Sequence, residues 1–188
     1  MAEIGIGIIG GGYMGKAHAV AMAAVGAVFD TALRPRLEMV CAQTPASAER
    51  YRAAYGFARS TDDWQVLVRD PRVEAVVIAS PQGTHRQIAE AAFARGKPVF
   101  CEKPLGASLA DSRAMVAAAV GQISMTGFNY TRTPASRSAR RLIADGTIGD
   151  ITWFRGEHTE DFLADPASPA TWRTLGDANG TMGDLAPH

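Results

Sequence analysis

Three sets of residues in this sequence have types and spacings that can do chemistry. Gly10-Gly11-Gly12-Tyr13-Met14-Gly15 fits the spacing G-x-G-x-x-G, directly after the apolar run Ile4 to Ile9. In such a run Gly10 permits a tight turn, Gly12 lets the backbone approach a pyrophosphate, and Gly15 lets a helix pack closely on a strand. The amides of the helix that starts at Tyr13 and Met14 then face phosphate oxygens. Lys103 is the second candidate: it follows the strand-like run Pro98 to Cys101, where its ammonium could hydrogen-bond a reacting oxygen and stabilise alkoxide character. Asp184 and His188 are the third. They lie four positions apart, so on a helix they share a face. The carboxylate can then orient and charge-stabilise the imidazole, which suits a general base. Each set also has a plainer reading: a simple strand–helix turn, a lysine that pairs with Glu102 or fixes the Pro104 turn, and a helix-capping Asp beside a terminal His.

Those residues need a frame. Ile4–Ile9, Leu37–Ala42, Val73–Ala79, Pro98–Cys101 and Ile123–Gly127 read as strands. Val73–Ala79 is almost wholly apolar, as a strand covered on both faces should be. Between them Tyr13–Gly26, Ser47–Tyr55, a short segment capped by Ser60-Thr61-Asp62-Asp63, Thr84–Arg95 and Ser108–Val120 read as helices, with Gly56 and Gly96 placed to end two of them. Alternating strands and helices predict an α/β fold, a doubly wound parallel Rossmann sheet. Ligands of such sheets bind at the carboxyl ends of the strands. The second strand should end in an acidic residue that holds ribose hydroxyls, and Gln43 stands there instead. A neutral residue does not reject a 2′-phosphate, so both NAD and NADP fit; Glu38 lies at the wrong end of that strand.

The pattern changes near Asn129. Residues 1–129 are expected to form the dinucleotide-binding domain, and 130–188 the incomplete start of an α+β open-sheet domain for substrate binding and oligomerisation. Pro134–Asp145 reads as a helix and Ile151–His158 as a first strand. About sixty residues with one strand are too few to close a sheet, so the second domain is expected to be cut short.

Composition excludes several function classes. Lys plus Arg and Asp plus Glu both number 19, so no basic field points to nucleic acid or an anionic membrane surface. There is no apolar run of membrane-spanning length and no basic region ahead of an apolar leader, which predicts a cytoplasmic protein. Cys41 and Cys101 are isolated and read as free thiols. Neither they nor the histidines have metal-ligand spacing.

Cys101-Glu102-Lys103-Pro104-Leu105 downstream of the glycine loop resembles the glucose–fructose oxidoreductase / inositol dehydrogenase / MocA family. Ser80-Pro81-Gln82-Gly83-Thr84-His85 resembles that family's loop beside the nicotinamide ribose. Gly127-Phe128-Asn129-Tyr130, Ile148-Gly149-Asp150 and Gly183-Asp184-Leu185-Ala186-Pro187-His188 are similar to its domain-crossing strand, its entry to the second domain and its Asp-x-x-x-His catalytic segment. The resemblance covers the whole chain. It implies NAD or NADP as cofactor, held by Gly10, Gly12, Tyr13, Met14, Gly15, Gln43, Ser80, Pro81, Gln82, His85, Glu102 and Lys103. It implies hydride transfer to or from a secondary alcohol of a polyol or sugar, with Lys103, Asp184 and His188 as catalytic residues. Glu157–Phe162, Ala164–Pro166 and Trp172-Arg173 are similar to a subgroup of inositol and sugar dehydrogenases. A complete sheet domain would serve a homo-oligomer. The competing expectation is a non-catalytic dinucleotide-binding module. In either case His85 is expected to shape the loop over the cofactor, and His18 to be a core residue or a support for the site.

Overall fold

The computed structural model describes residues 2–161, 164–170 and 184–185. It divides the chain into two units, Met1–Gly127 and Phe128–His188.

The first unit is built on one six-stranded sheet with the order β3-β2-β1-β4-β5-β6. The strands are β1 (Ala2–Ile9), β2 (Leu33–Cys41), β3 (Arg59–Thr61), β4 (Ala75–Ile78), β5 (Val99–Cys101) and β6 (Ser124–Thr126), and every pairing is parallel. Parallel neighbours require crossovers, which the helices supply: α1 (Tyr13–Val28), α2 (Pro45–Tyr55), α3 (Trp64–Arg69), α4 (His85–Phe93) and α5 (Leu109–Ala118). Alternation along the strands divides the core into two layers. Met39, Cys41, Ile78, Val99 and Cys101 pack with Leu67, Ile88, Ala92 and Met115 on the α3–α4–α5 side. Ile6, Ile8, Val40 and Val77 pack with Ala19 on the α1–α2 side, where Tyr51, Tyr55 and Phe100 close the layer.

Local signals set most boundaries. Ser108 accepts from the Asp111 amide at the start of α5, and Gly56 ends α2 with φ 79°, in the left-handed region. Two expectations are corrected. Ser60 and Thr61 do not cap a helix; they belong to β3, paired with Val40 and Cys41, and Asp63 caps α3 through the Gln65 amide. β2 begins at Leu33, and Glu38 sits where its register against β1 shifts between Ile6 and Gly7. There the buried Glu38 carboxylate pairs with Arg36 and Arg59, so this acid serves the sheet's interior.

In the second unit, α6 spans Pro134–Ala144, capped by Thr133 through the Ser136 amide, and none of its residues is buried. Residues 151–158 were expected to form a strand, but they are exposed and without regular structure. A strand exists only where a neighbour completes its ladder, and among the described residues none pairs with this segment. Edge-on contact between Tyr130 and His158, with ring centroids 5.8 Å apart, ties it back to the start of the unit.

Candidate functional site

The glycine loop joins β1 to α1 at the carboxyl edge of the sheet. Gly10 has φ 101°, a conformation that L side chains rarely adopt, and its amide donates to the Cys41 carbonyl at 2.9 Å. A Cβ on Gly15 would stand 1.9 Å from the Gly10 carbonyl oxygen. The first turn of α1 can therefore lie against the loop only because Gly15 is bare. Gly12 is different: a Cβ there would meet nothing within 4 Å. It is the N-cap of α1, no side chain caps that helix, and its first turn contains no acid. The amide dipoles thus point into open space beside Tyr13, which is 84% exposed, and the half-buried Met14. That cradle fits the pyrophosphate of a dinucleotide.

Two residues not anticipated from the sequence support the loop from α2. The Tyr55 hydroxyl donates to the Gly11 carbonyl at 3.0 Å. Tyr51 stacks on Tyr55 with centroids 5.5 Å apart, and its ring fills the space that a Cβ on Gly11 would need. The signal was present as two tyrosines at helical i, i+4 spacing, but only the tertiary contact distinguishes such a pair from ordinary packing.

Gln43 is exposed just after β2, next to Thr44, whose hydroxyl and Ser47 form a reciprocal cap on α2. Across the switch in strand order between β1 and β4 lies the second loop. Ser80 and Thr84 are hydrogen-bonded through their hydroxyls at 2.7 Å, and Thr84 Oγ1 donates to the Pro81 carbonyl. Gln82 and His85 are buried. His85 Nε2 lies 2.8 Å from the Ser80 carbonyl, while Nδ1 lies 3.0 Å from the Pro104 carbonyl. His85 therefore fastens the loop after β4 to the loop after β5.

Glu102 and Lys103 follow β5. The Glu102 amide donates to the Ile78 carbonyl at 2.9 Å, and its carboxylate is buried and bonded to His18 of α1. Lys103 is half-buried, at a cis peptide bond with Pro104. The first unit thus brings Gly10, Gly12, Gly15, Gln43, Ser80, His85, Glu102 and Lys103 to the carboxyl ends of β1, β2, β4 and β5. Asp184 belongs to the second unit and is buried; His188 lies outside the described residues. Cys41 and Cys101 are buried free thiols, both pushed up to about 12, chiefly by burial. Among the described residues no His, Cys, Asp or Glu cluster could hold a metal, and no helix is long and apolar enough to cross a membrane.

A doubly wound sheet with strand order 3-2-1-4-5-6, a glycine turn at β1 and an uncapped helix facing the crevice defines the Rossmann class of dinucleotide-binding folds. Residues 4–130 match the family described as "Oxidoreductase family, NAD-binding Rossmann fold", and residues 136–188 match the "GFO/IDH/MocA C-terminal domain". This chain belongs to the Gfo/Idh/MocA oxidoreductase family. It is 40% identical to levoglucosan dehydrogenase of Pseudarthrobacter phenanthrenivorans, over 100% of this chain and 50% of that protein. It is 32% identical to an inositol 2-dehydrogenase of Rubrobacter xylanophilus, over 97% of this chain and 50% of that protein. Levoglucosan dehydrogenase in complex with NADH superposes with a TM-score of 0.92, over 98% of this chain and 51% of that one. An oxidoreductase domain protein from Kribbella flavida, 37% identical, gives the same score over 99% of this chain and 52% of the other. The chain spans about half the length of the relatives it matches.

Proposed function

We propose that this chain provides the cofactor-binding part of an NAD-dependent dehydrogenase that oxidises a secondary alcohol of a polyol or sugar. The observation that carries the cofactor reading is the open, uncapped N-terminus of α1 at Gly12, packed on β1 through Gly15. The likeness to levoglucosan dehydrogenase in complex with NADH supports the same assignment. Gly10, Gly12, Tyr13, Met14 and Gly15 hold the pyrophosphate. Gln43 faces the adenosine ribose, where its neutral side chain also admits NADP. Ser80, Pro81 and Gln82 line the nicotinamide ribose, His85 holds their loop in place from behind, and Glu102 and Lys103 follow the strand nearest the ring. When bound, the cofactor accepts the hydride.

The chain's own residues manage the oxygen and its proton. Lys103 donates a hydrogen bond to the substrate oxygen and stabilises its alkoxide character. His188, oriented by Asp184, takes the hydroxyl proton. Substrate choice follows the relatives, whose names give levoglucosan and inositols. Residues 130–188 contribute to the substrate side and to association of subunits.

The test is to titrate the protein carrying this chain with NADH. Its reduction of NAD and of NADP is then followed at the nicotinamide absorbance band with levoglucosan, inositols and other polyols. Cofactor reduction by one of these alcohols is expected. Lys103→Met should lower it on the order of a hundredfold or more while NADH affinity changes only a few-fold. NADH binding without turnover on any alcohol would point instead to a dinucleotide-binding module, and absence of NADH binding would overturn the reading.

A further inference from the structure

The bond between His18 and Glu102 joins positions 84 residues apart. His18 lies on α1, just inside the helix whose first turn faces the pyrophosphate. Its Nε2 donates to Glu102 Oε1 at 2.7 Å. The other carboxylate oxygen accepts from the Lys103 amide at 3.3 Å. Both side chains are shielded, with 13% and 9% of their surfaces exposed. Phe100 of β5, two residues before Glu102, meets the His18 ring edge-on with centroids 4.8 Å apart. Gly127, following β6, closes the other side: a Cβ there would stand 3.1 Å from the carboxylate atoms.

A carboxylate removed from water is costly unless its oxygens are bonded. An apolar side chain would hold α1 against β5 at lower cost, so stability alone is a poor account of this pair. The geometry is better suited to transmitting position. The first turn of α1 takes the phosphates, and His18, one turn further on, grips Glu102. Glu102 in turn fixes the backbone from which Lys103 departs.

We propose that His18 and Glu102 are positioning residues. They carry the placement of the pyrophosphate helix to the Lys103 turn, so that the nicotinamide half of the cofactor meets a preset strand end. This rests on the cofactor reading above. It makes a prediction that simple packing does not, because the pair matters only to the half of the ligand that reaches β5.

The experiment compares NADH with ADP-ribose, which has the pyrophosphate and both riboses but no nicotinamide, by calorimetric titration of the whole protein. His18→Leu is expected to weaken NADH about tenfold, the worth of one charge-assisted hydrogen bond, and ADP-ribose less than about twofold. His18→Gln places an amide nitrogen near the position of Nε2 and should restore most of the loss. Should His18→Leu not fold, Glu102→Gln leaves one acceptor oxygen for two donors, the His18 Nε2–H and the Lys103 amide, and the same separation of the two ligands is expected. Equal weakening of both ligands, or weakening of neither, in a folded variant would overturn this inference and leave the cofactor reading intact. A folded wild-type protein that binds neither ligand would overturn both.

Discussion

Gly12→Val separates what the glycine loop does for the fold from what it does for a ligand. The N-cap residue Gly12 has φ −69° and ψ −157°, and no atom lies within 4 Å of the position its Cβ would take. The backbone angles and the space around Gly12 therefore admit a side chain. Its cost is the less favourable cap type, on the order of 0.5–1 kcal/mol, which in a chain of this size lowers the melting temperature by about 2–4 °C at most. The ligand loses much more, because the new side chain fills the space through which a pyrophosphate oxygen reaches the amides of α1. A hydrogen bond to a charged group is worth about 1.5–3 kcal/mol. Displacing two removes about 3–6 kcal/mol, a fall in affinity of about a hundredfold to ten-thousandfold. Calorimetric titration with NADH, beside a thermal melt followed by circular dichroism, measures both quantities. A variant that melts within a few degrees of wild type and keeps its NADH affinity would refute the reasoning. Gly15→Ala should give the opposite pattern, losing stability first, since its Cβ would stand 1.9 Å from the Gly10 carbonyl oxygen.

Gln43→Asp should shift the NAD-to-NADP affinity ratio toward NAD by about tenfold, through repulsion of the 2′-phosphate; an unmoved ratio in paired titrations would show that Gln43 does not face that ribose. Asp70 is held at about 2, below the usual 3.8, first by its hydrogen bond from Arg59. Stability from a depressed carboxyl is complete above its unfolded value and is lost as pH falls through the folded one. The gap in urea stability between wild type and Asp70→Asn should hold above about pH 4 and narrow toward about pH 2, and a gap constant over that range would be the contrary result. Cys41 and Cys101 are buried, with thiols pushed up to about 12, so an aromatic disulfide reagent near neutral pH should modify neither until denaturant is added. Ser108→Ala should remove the cap on α5 at a cost of about 1 kcal/mol, read from the same thermal melts.

The central frame was legible because its signals are local. The apolar stretch Ala75–Ile78, the glycine turn after Ile9, the Ser108 cap and the Gly56 stop each state their structure within a few residues. β3 was not legible: Arg59-Ser60-Thr61 is short and polar, and only pairing with Met39, Val40 and Cys41 makes it a strand. Residues 151–158 failed in the opposite sense, since alternation predicts a strand only where a partner waits for it. The candidate site divides in the same way. Glycines and strand-end positions can be read one residue at a time. The contacts of Tyr55 with Gly11, His85 with Pro104 and His18 with Glu102 arise where distant segments meet, and no spacing rule encodes them.

The place of β1 in the sheet also governs how the chain can assemble during synthesis. β1, β2 and β3, with α1 and α2, are complete once residue 61 is made, but Ile6–Ile9 cannot pair with Ala75–Ile78 until a further stretch has been translated. In that interval the centre of the future sheet is a bare edge bearing Ile6, Ile8 and Ile9, residues that end almost fully enclosed. An unpaired apolar edge is a template for misassociation. A chain halted between Thr61 and Glu74 would be expected to aggregate rather than persist as a miniature nucleotide binder.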